Sequence, residues 1–525
     1  MDLDCDVLIA GAGCGGVAAA RSVAVLGCQV VLADCSGWLG GQLTAQAVPP
    51  DEHPWVERTG ITASYRQMRE AVRDRYRADP RLRGEARRQA HLNPGGGWVS
   101  TLCAEPVVIH AVLQQLLDPY LAAGNLRLLR HYRPVRAEVD ADLIRVVEFA
   151  SSRGDRPAVV HAAQVIDATE EGDLLSLTGC EHVLGAESNA GTGEPHARSG
   201  PPDPFDQQAL TWCAALELGP AGQDHVIERP ARYGFWRSYR APFWPGPQLG
   251  WATQDPETGR PLHRPLFAPG AAKDLWRFRR IRDGASYQPP VNDVTVVNWP
   301  QNDYWLQPIT GVPEDVREQR LADARELTRC VIYWLQTEAP RPDGGTGYPQ
   351  LRLAVDALGT ADGLAAAPYI RESRRIRSEF TVAEQHVGVA SRPGGRGAAL
   401  FRDSVGVGSY RIDLHPSTAG HGYLDISSYP FQIPLGALLP VRLDNLTAGG
   451  KCLGVTHITN GCYRLHPVEW NTGEAAGALA AYALRCHVPP RAVRARHRLL
   501  AEYQQLLVEL GIQLSWPDDI RGTPR

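Results

Sequence analysis

The sequence predicts an α/β fold, a Rossmann-like nucleotide-binding domain split by an inserted mixed α+β region. Three observations carry this reading. An apolar run at residues 6–10 ends in the glycine-rich turn Gly11-Ala12-Gly13-Cys14-Gly15-Gly16. Small, helix-forming residues at 14–27 follow, and lead into a second apolar run, 29–34, that ends at Asp34. The same strand–glycine–helix grammar returns at 445–485, whereas residues from about 207 to 429 are irregular and rich in Pro, Trp and Tyr.

Each element has a local cause. Gly27 stands where a helix ending in the left-handed region needs a glycine. Tyr65, Met68, Val72 and Tyr76 recur among charges over 62–78, the spacing of an amphipathic helix. A second helix is expected at 105–122, strands at 125–149, and a strand at 161–167 that feeds the turn from Ala168 to Asp173. Gly, Pro, Ser and Asn crowd residues 186–206 and mark a boundary. Residues 314–337 read as one long helix and 489–510 as a closing helix. No internal repeat interrupts this order. The predicted organisation is a discontinuous nucleotide-binding domain, 1–185 with 430–485. A substrate or cap region spans 186–429 and a C-terminal helical tail spans 486–525.

Composition narrows the function. The 525 residues are 43% apolar and 21% charged, ordinary for a globular protein. A net charge of −4 offers no basic field for nucleic acid or an anionic membrane. No apolar run approaches the ~18 residues of a membrane span. The eleven cysteines are scattered, with neither CxxC pairs nor zinc spacing, so reduced thiols and no metal site are expected. Nothing resembling a signal peptide precedes the first strand, and the expected location is cytoplasmic.

The glycine turn carries chemistry. Gly11 permits the tight turn, Gly13 lets backbone approach a diphosphate, and Gly16 brings the helix close to the strand. The first-turn N–H groups, around Cys14 and Gly15, offer hydrogen bonds and positive dipole to an anion. Asp34 suits the adenosine ribose, which favours NAD or FAD over NADP. The competing reading is a tight βαβ turn with no ligand.

Further motifs select among nucleotides. They are Gly40-Gly41-Gln42-Leu43-Thr44, Ile166-Asp167-Ala168-Thr169-Glu170-Glu171-Gly172-Asp173, and Asn445-Leu446-Thr447-Ala448-Gly449-Gly450 with the later Asn471-Thr472-Gly473-Glu474-Ala475-Ala476-Gly477. Arg371-Glu372-Ser373-Arg374-Arg375 lies between them. In these motifs, taken in order over most of the chain, the sequence resembles the FAD-dependent oxidoreductases with a glutathione-reductase-type FAD domain. Within that group it is most similar to a branch related to the flavin domains of heterodisulfide reductase and fumarate reductase. The resemblance implies FAD as cofactor. It implies that Cys35, Gly40, Gly41, Gln42 and Thr44 follow Asp34 along the cofactor, and that the Val135 backbone meets the adenine. Ala168, Thr169, Gly172, Gly449 and Gly450 would line the diphosphate and ribityl side. A helix begun at Thr472-Gly473 would point its N-terminus at the flavin. Glu170 departs from the pattern, where relatives carry glycine after the threonine.

The chain lacks a second complete GxGxxG for NAD(P)H and the CxxxxC dithiol of flavin disulfide reductases. What remains is an FAD-dependent oxidase or dehydrogenase that removes hydride from a small polar organic substrate. The acceptor, whether O2, a quinone or a carrier protein, stays open, as does the oligomeric state. The alternatives are a flavin-dependent tailoring enzyme without net redox, an NAD(P)H-using flavin monooxygenase or reductase, and a non-catalytic nucleotide-binding scaffold. Catalytic candidates are His457, Arg464 and His466, between two flavin motifs, with Arg371, Arg374 and the loop residue His53. Arg371, Arg374 and Arg375 form either an anion site or salt bridges with Glu372 and Glu379. Asn302-Asp303-Tyr304 is a further segment that could point into the site.

Overall fold

The computed structural model describes residues 1–255, 257–268 and 273–525. Strand β1 (Asp2–Ala10), helix α1 (Cys14–Val25) and strand β2 (Val30–Asp34) form a βαβ unit, with Val7 opposite Val30 and Ala10 opposite Ala33. Every residue of β2 is buried, as befits a parallel strand covered on both faces. Leu26 closes α1 and Gly27 takes a φ of 85°. Helix α2 (Ala63–Arg77) is capped by Thr62, whose hydroxyl accepts the Tyr65 N–H. Helix α3 (Pro106–Ala123) starts on a proline, which needs no donor there, and stops at left-handed Gly124. It delivers β3 (Leu126–Arg130) parallel to β2.

Strands β4 (Tyr132–Asp140) and β5 (Leu143–Ser151) form an antiparallel hairpin, and β6 (Ala158–Asp167) returns parallel to β1. The resulting order is β3-β2-β1-β6-β5-β4. Strand β6 is shared. Its beginning pairs with β5, and its end pairs in parallel with β7 (Leu446–Ala448), which arrives from the far end of the chain. Asn445 holds this fork, accepting the Ile144 N–H and donating to the carbonyls of Ile144 and Ala163.

Between β6 and β7 lies a four-stranded antiparallel sheet. Its strands, in spatial order, are Arg280–Arg282, Val294–Val297, Ala214–Leu218 and Leu351–Leu353. The long helix α4 (Glu314–Thr337) buries Leu327, Val331, Trp334 and Leu335 in a second core with Trp236, Trp251 and Trp299. A third apolar cluster joins the two regions, packing Ala47 and Val48 against Cys213, Ala215, Val294 and Tyr369.

The C-terminal part differs from expectation in two places. Residues 489–510 form two helices, Pro490–Ala495 and His497–Glu509, because Arg496 leaves helical geometry with φ −100° and ψ 113°. After α5 (His457–Tyr463), helix α6 runs over His466–Cys486, so Thr472 and Gly473 lie in its interior rather than at its N-terminus. Pro467 explains the shift, since it fits only the first turn, where its missing N–H has no partner to lose. Thr472 instead donates its hydroxyl to the Val468 carbonyl. A Cβ on Gly473 would stand 1.9 Å from the Gly15 carbonyl oxygen, and one on Gly477 2.4 Å from that of Ala19. These two glycines therefore let α6 lie directly on α1. Among the described residues, no helix is long and apolar enough to cross a membrane.

Candidate active site

The glycine turn is a cradle with one open position. A Cβ on Gly11 would meet the Ala168 carbonyl at 2.2 Å, and one on Gly16 would meet the Gly11 carbonyl at 1.9 Å. Gly15 abuts the Gly449 carbonyl as closely. Over Gly13, by contrast, the nearest atoms are side-chain carboxylate oxygens, Glu170 Oε1 at 3.1 Å and Glu469 Oε1 at 3.2 Å. Asp34 closes the turn that follows it. Its Oδ2 accepts the N–H groups of Ser36 and Gly37 and the Ser36 hydroxyl, and its Oδ1 accepts the Ala12 N–H. Cys35, the next residue, is exposed.

The second glycine pair sits against the first. The Gly40 N–H donates to the Ala12 carbonyl, Cys14 Sγ faces the Gly40 carbonyl at 3.3 Å, and Gly40 and Gly41 both have positive φ. Thr44 donates to Leu39 O, fixing the turn. Gln42 is fully buried, and its amide donates to the Arg464 carbonyl and to Glu469. Lys451 follows Gly449 and Gly450 and pairs with Glu170. Burial lifts the Glu469 carboxyl to about 7; Lys451 opposes that rise and Glu170 adds to it. Thr169 is occupied within its own turn, donating to Asp167 and accepting the Asp173 N–H, and Gly172 supplies the turn's positive φ. Val135 is exposed at a bulge between Pro134 and Arg136, which leaves its backbone out of the ladder.

Beside this cradle opens a cavity of about 520 Å³, lined among others by Asp51, Arg279, Asn298, Tyr410, Asp413 and His415. Arg464 links the two places. Its carbonyl holds Gln42, while its guanidinium donates to the Tyr369 hydroxyl and to Asp413. His466 Nδ1 accepts the Asp51 N–H, which puts its proton on Nε2. That buried Nε2 has no hydrogen-bond partner among the described residues. Burial holds His466 down to about 4, so the ring is neutral.

Among the described residues, His415 is the one histidine that lines this cavity. Its Nδ1–H donates to Asp303 Oδ2 at 2.6 Å, and Asp303 is itself held by Arg371 and the Thr211 hydroxyl. Burial raises Asp303, but Arg371 and His415 outweigh it and hold the carboxyl at about 2. Burial and the Arg371 charge lower His415 more than Asp303 restores it. The imidazole is thus neutral at pH 7 with its Nε2 lone pair unprotonated. Sequence reasoning passed over His415, although the segment carrying Asp303 offered a signal.

The other sequence candidates lie elsewhere. His457 is paired with Glu372 at 2.9 Å, and this carboxylate raises its pKa against the effect of burial. It lines a neighbouring cavity with His196, Asp206 and His421, and His415 and Tyr423 line both cavities. Arg374 donates to the Glu171 carbonyl, and Arg375 is bound to Glu372 and Glu187, whereas Glu379 pairs with Arg494. His53 does not reach either cavity. It packs against Trp516 and bonds the Gly60 carbonyl, while its neighbours Asp51 and Glu52 face the larger cavity.

A family model described as FAD dependent oxidoreductase matches residues 6–507. No curated protein matches the sequence. Three solved structures align with part or nearly all of the chain at low identity. L-proline dehydrogenase from P. horikoshii is 15% identical, with 36% of this chain aligned to 25% of that one at a TM-score of 0.19. A geranylgeranyl bacteriochlorophyll reductase-like protein from Thermoplasma acidophilum is 10% identical over 98% of this chain and 85% of that one, at 0.34. The E. coli quinol fumarate reductase FrdA is 12% identical over 97% and 74%, at 0.33. None is close enough to assign a reaction.

Proposed function

The chain belongs to the FAD-dependent oxidoreductase family, and from that premise we propose that it removes hydride from a small polar organic molecule in the cavity beside the cradle, with His415 accepting the proton. The residues present fit the cofactor. The nearest atoms over the open position at Gly13 are side-chain tips that can turn aside, with backbone no nearer than the Ala168 carbonyl at 4.0 Å, and the first-turn N–H groups of α1 lie beneath it. Gly11, Gly13, Cys14, Gly15 and Gly16 would hold the diphosphate, and Asp34 with Val135 the adenosine. Gly40, Gly41, Gln42, Thr44, Gly449 and Gly450 would line the flavin side. When bound, FAD supplies a two-electron acceptor for hydride.

The protein's share is to bind, orient and move a proton. Asp303 fixes the His415 tautomer so that Nε2 accepts. Arg371 acts as a positioning residue, holding Asp303 ionised behind the ring. Arg464 bridges cradle and cavity, and the Nε2–H of His466 is a buried donor without a partner among the described residues. The observation that carries the reading is the neutral, carboxylate-backed imidazole on the wall of the cavity. Anaerobic mixing of the FAD-loaded protein with alcohols, amines and acids tests it. Bleaching of the flavin by one class is the expected result. Bleaching by NAD(P)H alone would mean a reductase or monooxygenase, and no bleaching by any class would remove the proposal.

A further inference from the structure

The cavity holds an opposed pair of charges, Arg279 and Asp51, in a long ion pair that leaves hydrogen-bonding capacity unused. Arg279 has a side chain only 12% exposed, yet its Nε and Nη1 have no hydrogen-bond partner among the described residues. Its nearest carboxylate is Asp51, 7% exposed, at 3.8 Å from Nη2, beyond hydrogen-bond distance. The other carboxylates on the wall are engaged. Glu52 binds Arg69, Tyr65 and Ser100, Asp413 binds Arg464, Asp425 binds Arg411, and Asp274 caps the Arg277 N–H. On the wall of the same cavity, the buried amide of Asn298 turns its oxygen toward Arg371 and leaves Nδ2 without a partner among the described residues. Unpaired buried donors and charges are costly, and a cavity that gathers several of them is matched to a ligand that completes them.

We propose that this cavity binds a small zwitterion, an α-amino acid or N-substituted amino acid, with its carboxylate on Arg279 and Asn298 and its ammonium on Asp51. An anion alone would satisfy Arg279 but strand Asp51 beside a second negative charge. A cation alone would do the reverse. The carboxylate and ammonium of an amino acid are separated by one carbon, which suits charges held this close together. The inference rests on the proposed reaction, and specifies it. One N–H proton would pass to His415 Nε2 and the α-C–H bond would break with its electron pair leaving as hydride, for which bound FAD would supply the two-electron acceptor, as a C=N bond forms. The substrate loses two electrons and the cofactor gains them.

Amino acids without an α-hydrogen separate binding from reaction. Calorimetric titration of the FAD-loaded full chain would use 2-aminoisobutyrate, 2-hydroxyisobutyrate and 2-aminoisobutyramide. The corresponding 1-substituted cyclohexane acid, hydroxy acid and amide form a second, larger series. In at least one series the amino acid is expected to bind at least about tenfold more tightly than both counterparts. R279Q should abolish binding of the amino and hydroxy acids. D51N should reduce the amino acid to the level of the hydroxy acid, and R279K and D51E should keep part of the preference. A bound-flavin spectrum identifies variants that remain folded. No zwitterion preference in either series, or a preference unmoved by R279Q and D51N, would overturn the inference. Zwitterion binding without flavin bleaching by any α-hydrogen amino acid would leave this site standing and remove the proposed reaction. Bleaching by an uncharged alcohol without zwitterion preference would do the reverse.

Discussion

His415 and Asp303 are 112 residues apart, and neither sits in a motif. Their pairing sets the first expectation. His415→Gln should slow anaerobic flavin reduction by about 10²–10⁴-fold, the range for a lost general base, while the bound-flavin spectrum stays unchanged. In the wild type the reduction rate should fall as pH drops through a pKa below the ordinary histidine value of 6.5, and level off above it, because only the neutral ring accepts a proton. Glu469 sets a second expectation. Its carboxyl, lifted to about 7, faces the open position over Gly13 that a diphosphate would approach. Two like charges there oppose each other. FAD affinity of the apoprotein, read by flavin fluorescence, should therefore rise as pH falls through about 7. Glu469→Gln should bind FAD roughly tenfold more tightly at pH 8, about one pKa unit of interaction, and lose that pH dependence. The cradle glycines and Asp34 could be read from sequence because their spacing is local. Arg279, Asp51, Asn298 and His415 could not, since their roles exist only where separate loops converge.

The α1–α6 contact is the element on which the cradle depends. Gly473 and Gly477 put α6 against the backbone of Gly15 and Ala19, and Gly15 is part of the cradle. Alanine is the better helix former by about 1 kcal/mol, which alone would stabilise α6. The Gly15 carbonyl at 1.9 Å from an added Cβ outweighs that gain. Gly473→Ala is expected to lower the melting temperature and destabilise by about 2–3 kcal/mol, the upper range for overpacking. It should also weaken FAD binding, because the strain falls on the cradle. Gly27→Ala, at φ 85° but with nothing near an added Cβ, should cost only its backbone strain and leave FAD binding intact. Periodicity and caps made α1, α2 and α4 legible. The start of α6 was misplaced because Thr472-Gly473 looks like a helix start, while His466-Pro467 is the first turn that proline permits.

At the scale of the molecule, opposing titrations set the response to acid. Asp167, Asp173 and Glu469 are raised by burial to about 6, 7 and 7, so folding takes up protons there and stability from these groups grows as pH falls from 7 toward 4. His53 and His466, lowered by burial to about 4, act oppositely below 6.5 because the unfolded chain binds their protons first. The two sets oppose each other, and with Asp425, also raised by burial to about 6, the acids outweigh the histidines. Asp303 and Glu372 are held at about 2 by neighbouring cations despite burial, and their stabilisation is lost as pH falls below about 4.5. The melting temperature of the apoprotein should thus not fall from pH 6.5 to 4.5 and should drop below that, and a steep fall already at pH 6 would contradict this balance. The α/β class, the βαβ start and the glycine cradle were legible in the sequence itself, because short-range steric and dipolar needs impose fixed spacings on glycines and acids, while FAD followed from the family resemblance of the motifs taken together. Only the tertiary structure decided the fork at β6, the seating of the inserted sheet on Ala47 and Val48, and the cavity with its unsatisfied charges. Those features arise from packing between segments far apart in the chain, and burial alone gives their side chains a chemistry that no local pattern records.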